Sequence, residues 1–343
     1  MTRSSAFKPR LRLLCLFTLV PTALLITMGA HTTSILAGMA FHDWPFSNGS
    51  INPEGWLSDP MMFAEHSHRL LGALVGILAI ALAVWTHRVE ARTWVRALAW
   101  AFLGMVIFQG ILGGMRVRFD QLNTGSATNV VAETLCVVHA VGAQIVVATL
   151  ATLCLVQFRR YATASTVERM PGLKTLRLWG AVSCVLLLAQ VAVGAVVRHI
   201  DAGLSIPYFP HATQDGALVP NYWNEFVLMN FLHRVGAVLV TVALFVFTWK
   251  LSVNRKIFPA QRFAAYLVAA LLIAQIALGA LTVWTHISAW VATAHLVIGA
   301  ALVSSTWLLT FSVFAFPLAR YVPSGSRLPE QAADKERELV ASA

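Results

Sequence analysis

Residues 61–85 read MMFAEHSHRLLGALVGILAIALAVW. From Leu70 to Trp85 no side chain is charged or strongly polar, whereas Glu65, His66, His68 and Arg69 crowd the first third. A chain crossing a bilayer must satisfy its backbone hydrogen bonds within itself, which takes about 20 mainly apolar residues in one helix. Met61–Trp85 meets that length, and strand-period alternation is absent from it. Its polar end is the exception that needs a reason, because ionisable groups inside a membrane are expensive and usually functional.

Working outward, seven more segments have the same character: Leu13–Ile35, Trp94–Met115, Ala132–Phe158, Thr175–Val197, Glu225–Lys250, Gln261–Trp284 and Ala289–Phe314. The expected fold is an all-α integral membrane protein with eight transmembrane helices. Hydrophobic residues make up 58% of the 343 and charged residues only 12%, half the share of a soluble protein, so a water-soluble enzyme is excluded. The net charge of +10 reads as topology rather than nucleic-acid binding, since 20 of the 25 Lys and Arg fall in segments on one side of the eight spans. That side is the cytoplasm, and both termini lie there. Basic residues precede the first apolar run, but no small-residue cleavage site follows it, so it is kept as a span. A twelve-residue basic head is short for an organelle transit peptide, which favours the plasma (inner) membrane of a bacterium. The segment 317–343 is polar and charged and is expected to be a disordered cytoplasmic tail. Cys15, Cys136, Cys154 and Cys184 lie in apolar stretches with no metal or disulfide spacing.

The two halves repeat. Ala37-Gly38-Met39-Ala40 leading to Asp43-Trp44-Pro45 matches Ala202-Gly203-Leu204-Ser205 leading to Tyr208-Phe209-Pro210 at an offset of 165, which also carries His68-Arg69 onto His233-Arg234. Gln109-x-x-x-Gly113 falls on Gln275-x-x-x-Gly279, His139 falls on His295, and Gln190 and Gly194 give a third copy of the Gln-x-x-x-Gly pattern. Four spans repeated in one orientation predict two pseudo-repeated four-helix bundles, residues 1–160 and 161–316.

Of eleven histidines only His68, His139, His233 and His295 recur within spans. Each lies near the outer start of its helix, roughly 10 Å below the surface at 1.5 Å per residue, so all four share one level. Two neutral imidazoles facing each other across an apolar bundle suit a haem iron ligated from both sides. Zinc, which takes four ligands, fits less well. Space for a ring system is expected from Gly72, Gly142, Gly236 and Gly299. Glu65 lies three residues before His68 on the same helical face, where it could act on a substrate or pair with Arg69; Asn230 stands at its place in the second half. Arg116, Arg118 and Arg198 close the outer ends of the third and fifth spans, either as forks for haem propionates or as snorkelling side chains. Arg69 and Arg234 are open to the same two readings. The other seven histidines receive no metal role, with His66 the one nearest the Glu65/His68 pair.

The runs Glu65-His66-Ser67-His68-Arg69-Leu70-Leu71-Gly72, Gln109-Gly110-Ile111-Leu112-Gly113-Gly114, His233-Arg234-Val235-Gly236-Ala237 and Gln275-Ile276-Ala277-Leu278-Gly279-Ala280 resemble the heme A synthase family, over about residues 13 to 315. The resemblance implies haem b (iron) as cofactor between His233 and His295, haem O as substrate between His68 and His139, and Glu65 as the catalytic carboxylate. It implies oxidation of a haem O methyl group to the formyl group of haem A for cytochrome oxidase biogenesis. The implied partners are haem O, an enzyme producing it, an electron donor not identified by the sequence, and the lipid bilayer; nucleic acid is not among them, and the sequence sets no oligomeric state. Many bacterial members of the family carry a cysteine pair in the first outer loop; residues 36–60 have none, so thiol chemistry there is not expected. Two other readings need the same four histidines: a di-haem b, quinol-linked electron-transfer protein, and a haem transfer or assembly factor. The Glu65/Asn230 inequality favours the enzyme.

Overall fold

The computed structural model describes residues 8–125, 130–158, 172–254 and 259–315. The expected tail at 317–343 and the expected join between the halves at 160/161 lie outside the described residues. The chain forms eight long helices: α1 (Pro9–Ser34), α2 (Pro60–Val89), α3 (Thr93–Arg118), α4 (Val130–Val156), α5 (Leu173–His199), α6 (Glu225–Val253), α7 (Pro259–Trp284) and α8 (Ala289–Ala315). All eight are long and apolar enough to span a bilayer. They match the spans read from sequence and overrun them by up to four residues, because helices continue past their apolar stretch to ends where Arg88, Arg118 and Arg198 can reach water. Among the described residues no extended strand forms; β structure is confined to isolated bridge residues, Ser47 paired with Ser50 and Glu90.

Local signals set the starts of the two helices that matter most for the site. Pro60 opens α2, and the Asp59 side chain accepts from the Met61 and Met62 amides at 2.8 Å, satisfying donors that have no partner within the helix. Asn224 does the same for α6, accepting from the Val227 amide at 2.8 Å. These capped starts hold His68 and His233 eight residues inside their helices.

α1 touches α2 and α4, and α3 touches the same two; α5 touches α6 and α8, as does α7. The two sets of four meet through α1–α8, α4–α5 and α4–α8. Each set has its own apolar core. One is built on Leu11, Ala79, Leu82, Phe102, Val146 and Leu153, the other on Leu176, Leu244, Phe247, Val268, Leu302 and Leu309, and these are the same positions at the sequence offsets of the repeat. Both cores lie toward the helix ends away from the four histidines. At the histidine end packing is open: no residue of α4 is buried between Ala132 and Gln144, nor of α6 between Asn230 and Val240.

The packed end of the first set is tied by Glu90, which is fully buried at the end of α2. Its carboxylate meets Arg92 at 3.0 Å and Lys8 at 3.6 Å, and Arg92 also donates to the Val156 carbonyl at the end of α4. Burial alone would push the Glu90 carboxyl up, but hydrogen bonds from Arg92 and the charges of Arg92 and Lys8 hold it below the usual glutamate value. A carboxyl lowered on folding adds stability that is complete above its unfolded value and disappears as the pH falls through the folded one. Glu90→Gln is therefore expected to cost about 1–3 kcal/mol at pH 7, where it removes the buried charge that Arg92 and Lys8 meet. Thermal unfolding in detergent should show that gap closing as the pH is taken below the carboxylate range.

Candidate functional site

The four recurring histidines sit six to nine residues after the starts of α2, α4, α6 and α8, all at the openly packed end. His139 has His68 among its electrostatic neighbours, and His233 has His295, so each set of four helices brings its own pair together. Among the described residues no three His, Cys, Asp or Glu side chains are placed to hold a metal ion. All four cysteines are free thiols.

Each imidazole rests on a glycine of the preceding helix. A Cβ added to Gly29 would stand 2.8 Å from His68 Cε1, and one on Gly194 would stand 2.9 Å from His233 Cε1. The corresponding distances are 3.7 Å from Gly113 to His139 and 3.2 Å from Gly279 to His295. The glycines on the histidines' own helices meet other side chains. Gly142, Gly236 and Gly299 face the side chains of Gln109, Gln190 and Gln275, and Gly72 faces Leu25. The Gln-x-x-x-Gly pattern thus reads as one unit, in which the glycine receives a histidine ring and the glutamine reaches over a glycine on the histidine's own helix. Leu25 and Gly29 are its fourth copy, hidden in the sequence because leucine stands at the glutamine position.

Hydrogen bonds orient the rings. His68 Nδ1 donates to the Leu25 carbonyl at 3.1 Å, which puts the proton on Nδ1 and leaves the Nε2 lone pair free for a metal. The Gln190 amide lies 3.0 Å from His233 Nδ1 and donates to the His233 carbonyl at 2.8 Å; the Gln275 amide lies 3.2 Å from His295 Nε2. In matching places the His139 ring faces the Gln109 backbone and the His295 ring the Gln275 backbone, while Gln109 Oε1 and Gln275 Oε1 are buried without a hydrogen-bond partner. Orphaned buried polar atoms are rare and ask for an explanation. Rings set on glycines, open packing around them and orphaned glutamine oxygens beside them fit a flat metal-bearing group held between two imidazoles.

Arg69 and Arg234, left open between two roles by the sequence, clamp the loops that precede their helices. Arg69 donates to the carbonyls of Phe41, Asp43 and Phe46. Arg234 donates to those of Ile206, Tyr208 and His211, the same three positions at the offset of 165. One turn earlier the halves differ. Glu65, 4% exposed, pairs with Arg69 and accepts from the Phe41 amide at 3.1 Å. Asn230 accepts from Arg234 Nε at 3.0 Å and donates to the Ala202 and Gly203 carbonyls at 2.8 and 3.0 Å. The carboxylate therefore replaces a carboxamide inside an otherwise shared device.

Of the arginines expected at the helix ends, Arg116 donates to the Gly38 carbonyl and lies 3.5 Å from Asp120. Arg198 donates to the Thr33 carbonyl of α1 at 2.6 Å, linking the two sets of helices, and Arg118 is exposed. His66 is buried and turned away from the pair, with Nδ1 2.9 Å from Ser47 Oγ and its ring edge-on to Trp56 at 4.7 Å. Phe231 takes its place in the second half, edge-on to Trp223 at 5.3 Å, which marks His66 as loop packing. His31 stacks on Trp290 at 4.6 Å between α1 and α8.

Eight helices long and apolar enough to span a bilayer, with two histidine pairs toward one end, define a class of multi-pass membrane proteins. Comparison with known proteins narrows the class. The family model described as cytochrome oxidase assembly protein matches residues 57–307. The chain is 32% identical to the heme A synthase of Symbiobacterium thermophilum over 75% of its own length and 80% of that protein. It is 28% identical to that of Shouchella clausii over 80% and 87%, and 26% identical to that of Alkalihalophilus pseudofirmus over 89% and 97%. The chain belongs to the heme A synthase family.

Proposed function

We propose that the protein is a membrane oxidoreductase that oxidises a methyl group of haem O to the formyl group of haem A for cytochrome oxidase biogenesis. It works as two pseudo-repeated four-helix bundles, 1–160 for the substrate haem and 161–316 for haem b, with both termini in the cytoplasm of a bacterium and the histidine end facing outward. The excess of Lys and Arg on the opposite side supports that orientation. The observation that carries the functional reading is the exchange of Asn230 for Glu65 within matched arginine clamps. A buried carboxylate costs more than a carboxamide in the same place, and its presence in one half alone marks that half as the reacting one.

His233 and His295 would hold haem b, and two imidazole ligands with no open position suit electron transfer. His68 and His139 would hold haem O, with the Leu25 carbonyl fixing the His68 ring. Bound haem supplies the iron chemistry of the oxidation. Glu65 is the proposed catalytic residue: its carboxylate takes up a proton beside the substrate, while Arg69 and the Phe41 amide fix its direction. Arg116, Arg118 and Arg198 would pair with haem propionates, as guanidinium forks do with carboxylates. A haem O-producing enzyme supplies the substrate, and a separate donor supplies electrons.

The test is the haem content of the purified protein, read by chromatography and mass spectrometry after aerobic expression with a source of haem O. Haem b together with haem O, a hydroxylated intermediate or haem A is the expected result. Two stable haem b groups reducible by quinol would indicate an electron-transfer protein instead.

A further inference from the structure

We propose that Arg116 is a positioning residue for Glu65: it caps the Gly38 carbonyl, a duty that falls to Asn230 in the second half, and so fastens the loop whose Phe41 amide holds the Glu65 carboxylate. The argument is a comparison of the two halves atom by atom. In the second half Asn230 Nδ2 donates to the carbonyls of Ala202 and Gly203, and so fastens the loop to α6. The matching loop residues of the first half are Ala37 and Gly38. Glu65, ionised, has no proton to donate and cannot cap either carbonyl. The cap on Gly38 comes from across the bundle, where Arg116 of α3 donates to it. Asp120, itself buried, holds the other side of the guanidinium at 3.5 Å. At the offset of 166 that carries Gln109 onto Gln275, Arg116 falls on Thr282, whose hydroxyl is spent on the Leu278 carbonyl within its own helix. The two halves therefore differ by a linked pair of residues, Glu65 with Arg116 against Asn230 with Thr282.

Glycine at 38 belongs to the same arrangement. A Cβ there would stand 2.8 Å from Arg116 Nη1, so any larger residue would push the guanidinium off the carbonyl. Gly203 is spared for a different contact, with Ile287 Cδ1 of the loop before α8, also at 2.8 Å. With the Gly38 carbonyl satisfied by Arg116, one Glu65 oxygen faces the Phe41 amide and the other faces Arg69. The inference deepens the reading of Glu65 as the reacting carboxylate and rests on it, but the linked pair can be tested without turnover.

The experiment is a double-mutant cycle on the full-length protein in detergent, with Arg116→Thr, Glu65→Asn and the two combined, read as amide hydrogen exchange of the loop from Ala37 to Phe46. Arg116→Thr should speed exchange at Gly38 to Phe41 by about tenfold, the factor expected when one part-buried carbonyl loses its donor. Adding Glu65→Asn should restore most of that protection, because the carboxamide can donate where the carboxylate cannot, and Arg116→Lys should retain it. The mirror cycle should behave alike: Asn230→Glu should loosen the second loop and Thr282→Arg should tighten it again. Haem O turnover, measured in parallel, should fall in Arg116→Thr and should not return in the combined variant, although its loop is restored. Additive effects of Arg116→Thr and Glu65→Asn on exchange, or an unchanged loop in Arg116→Thr, would overturn the proposal. Rescue of the loop in a protein whose wild type makes no haem A would leave the linked pair standing and refute only the assignment of the reaction.

Discussion

Glu65→Gln should bind both haems and form product about 10²–10⁴-fold more slowly, the usual contribution of a positioned acid or base. The structure itself says that the substitution can be accommodated. A carboxamide already occupies the equivalent place at Asn230, between an arginine clamp and loop carbonyls. Glutamine at 65 keeps one oxygen for Arg69, as Asn230 does for Arg234, gives up the bond from the Phe41 amide, and gains a donor that the loop carbonyls can use. Loss of turnover with both haems retained would therefore come from the missing charge rather than from a collapsed site. If Glu65→Gln also shed the haem of the second half, the role assigned to Glu65 would be wrong, because that haem is held by other helices.

The second large effect is expected from the histidines, and it should divide by half. His233→Ala or His295→Ala removes one of the two proposed iron ligands of the second pair, and the purified protein should lose haem b and its absorption spectrum. His68→Ala or His139→Ala should leave haem b in place and abolish retention of haem O. Optical spectra and extracted haem masses of the four variants check this directly. An alanine in one half that removed the haem of the other would contradict two independent pairs, as would retention of haem b in both His233→Ala and His295→Ala.

Much of this was legible in the sequence because the membrane imposes a simple code. Eight apolar runs gave the eight helices, since backbone hydrogen bonding in lipid leaves a long apolar segment little alternative. The recurrence of His68, His139, His233 and His295 marked the level of the site. What could not be read was anything made by backbone atoms. Arg69 and Arg234 were visible as a repeated residue, but the three carbonyls each one gathers are chemically alike in every sequence. The glycines on which the imidazoles rest were passed over for a related reason. Gly72, Gly142, Gly236 and Gly299 lie on the histidine helices themselves, and only the packing of neighbouring helices shows that the rings instead meet Gly29, Gly113, Gly194 and Gly279. Gly29 had a sequence signal, its offset of 165 from Gly194, but Leu25 in place of a glutamine concealed it. The distinction between His66 and His68, two residues apart, likewise depended on seeing Phe231 do the work of His66 in the second half.

The division of labour between two similar halves is the central claim, and the conversion itself tests it most directly. Purified protein carrying haem b alone would be given haem O, oxygen and a reductant, and the extracted haems followed by mass spectrometry. Appearance of the hydroxylated haem and then of formyl-bearing haem A, with the haem b content unchanged throughout, is the predicted result. Haem O recovered unaltered from protein that binds it at His68 and His139, or conversion accompanied by consumption of the haem b, would contradict the account.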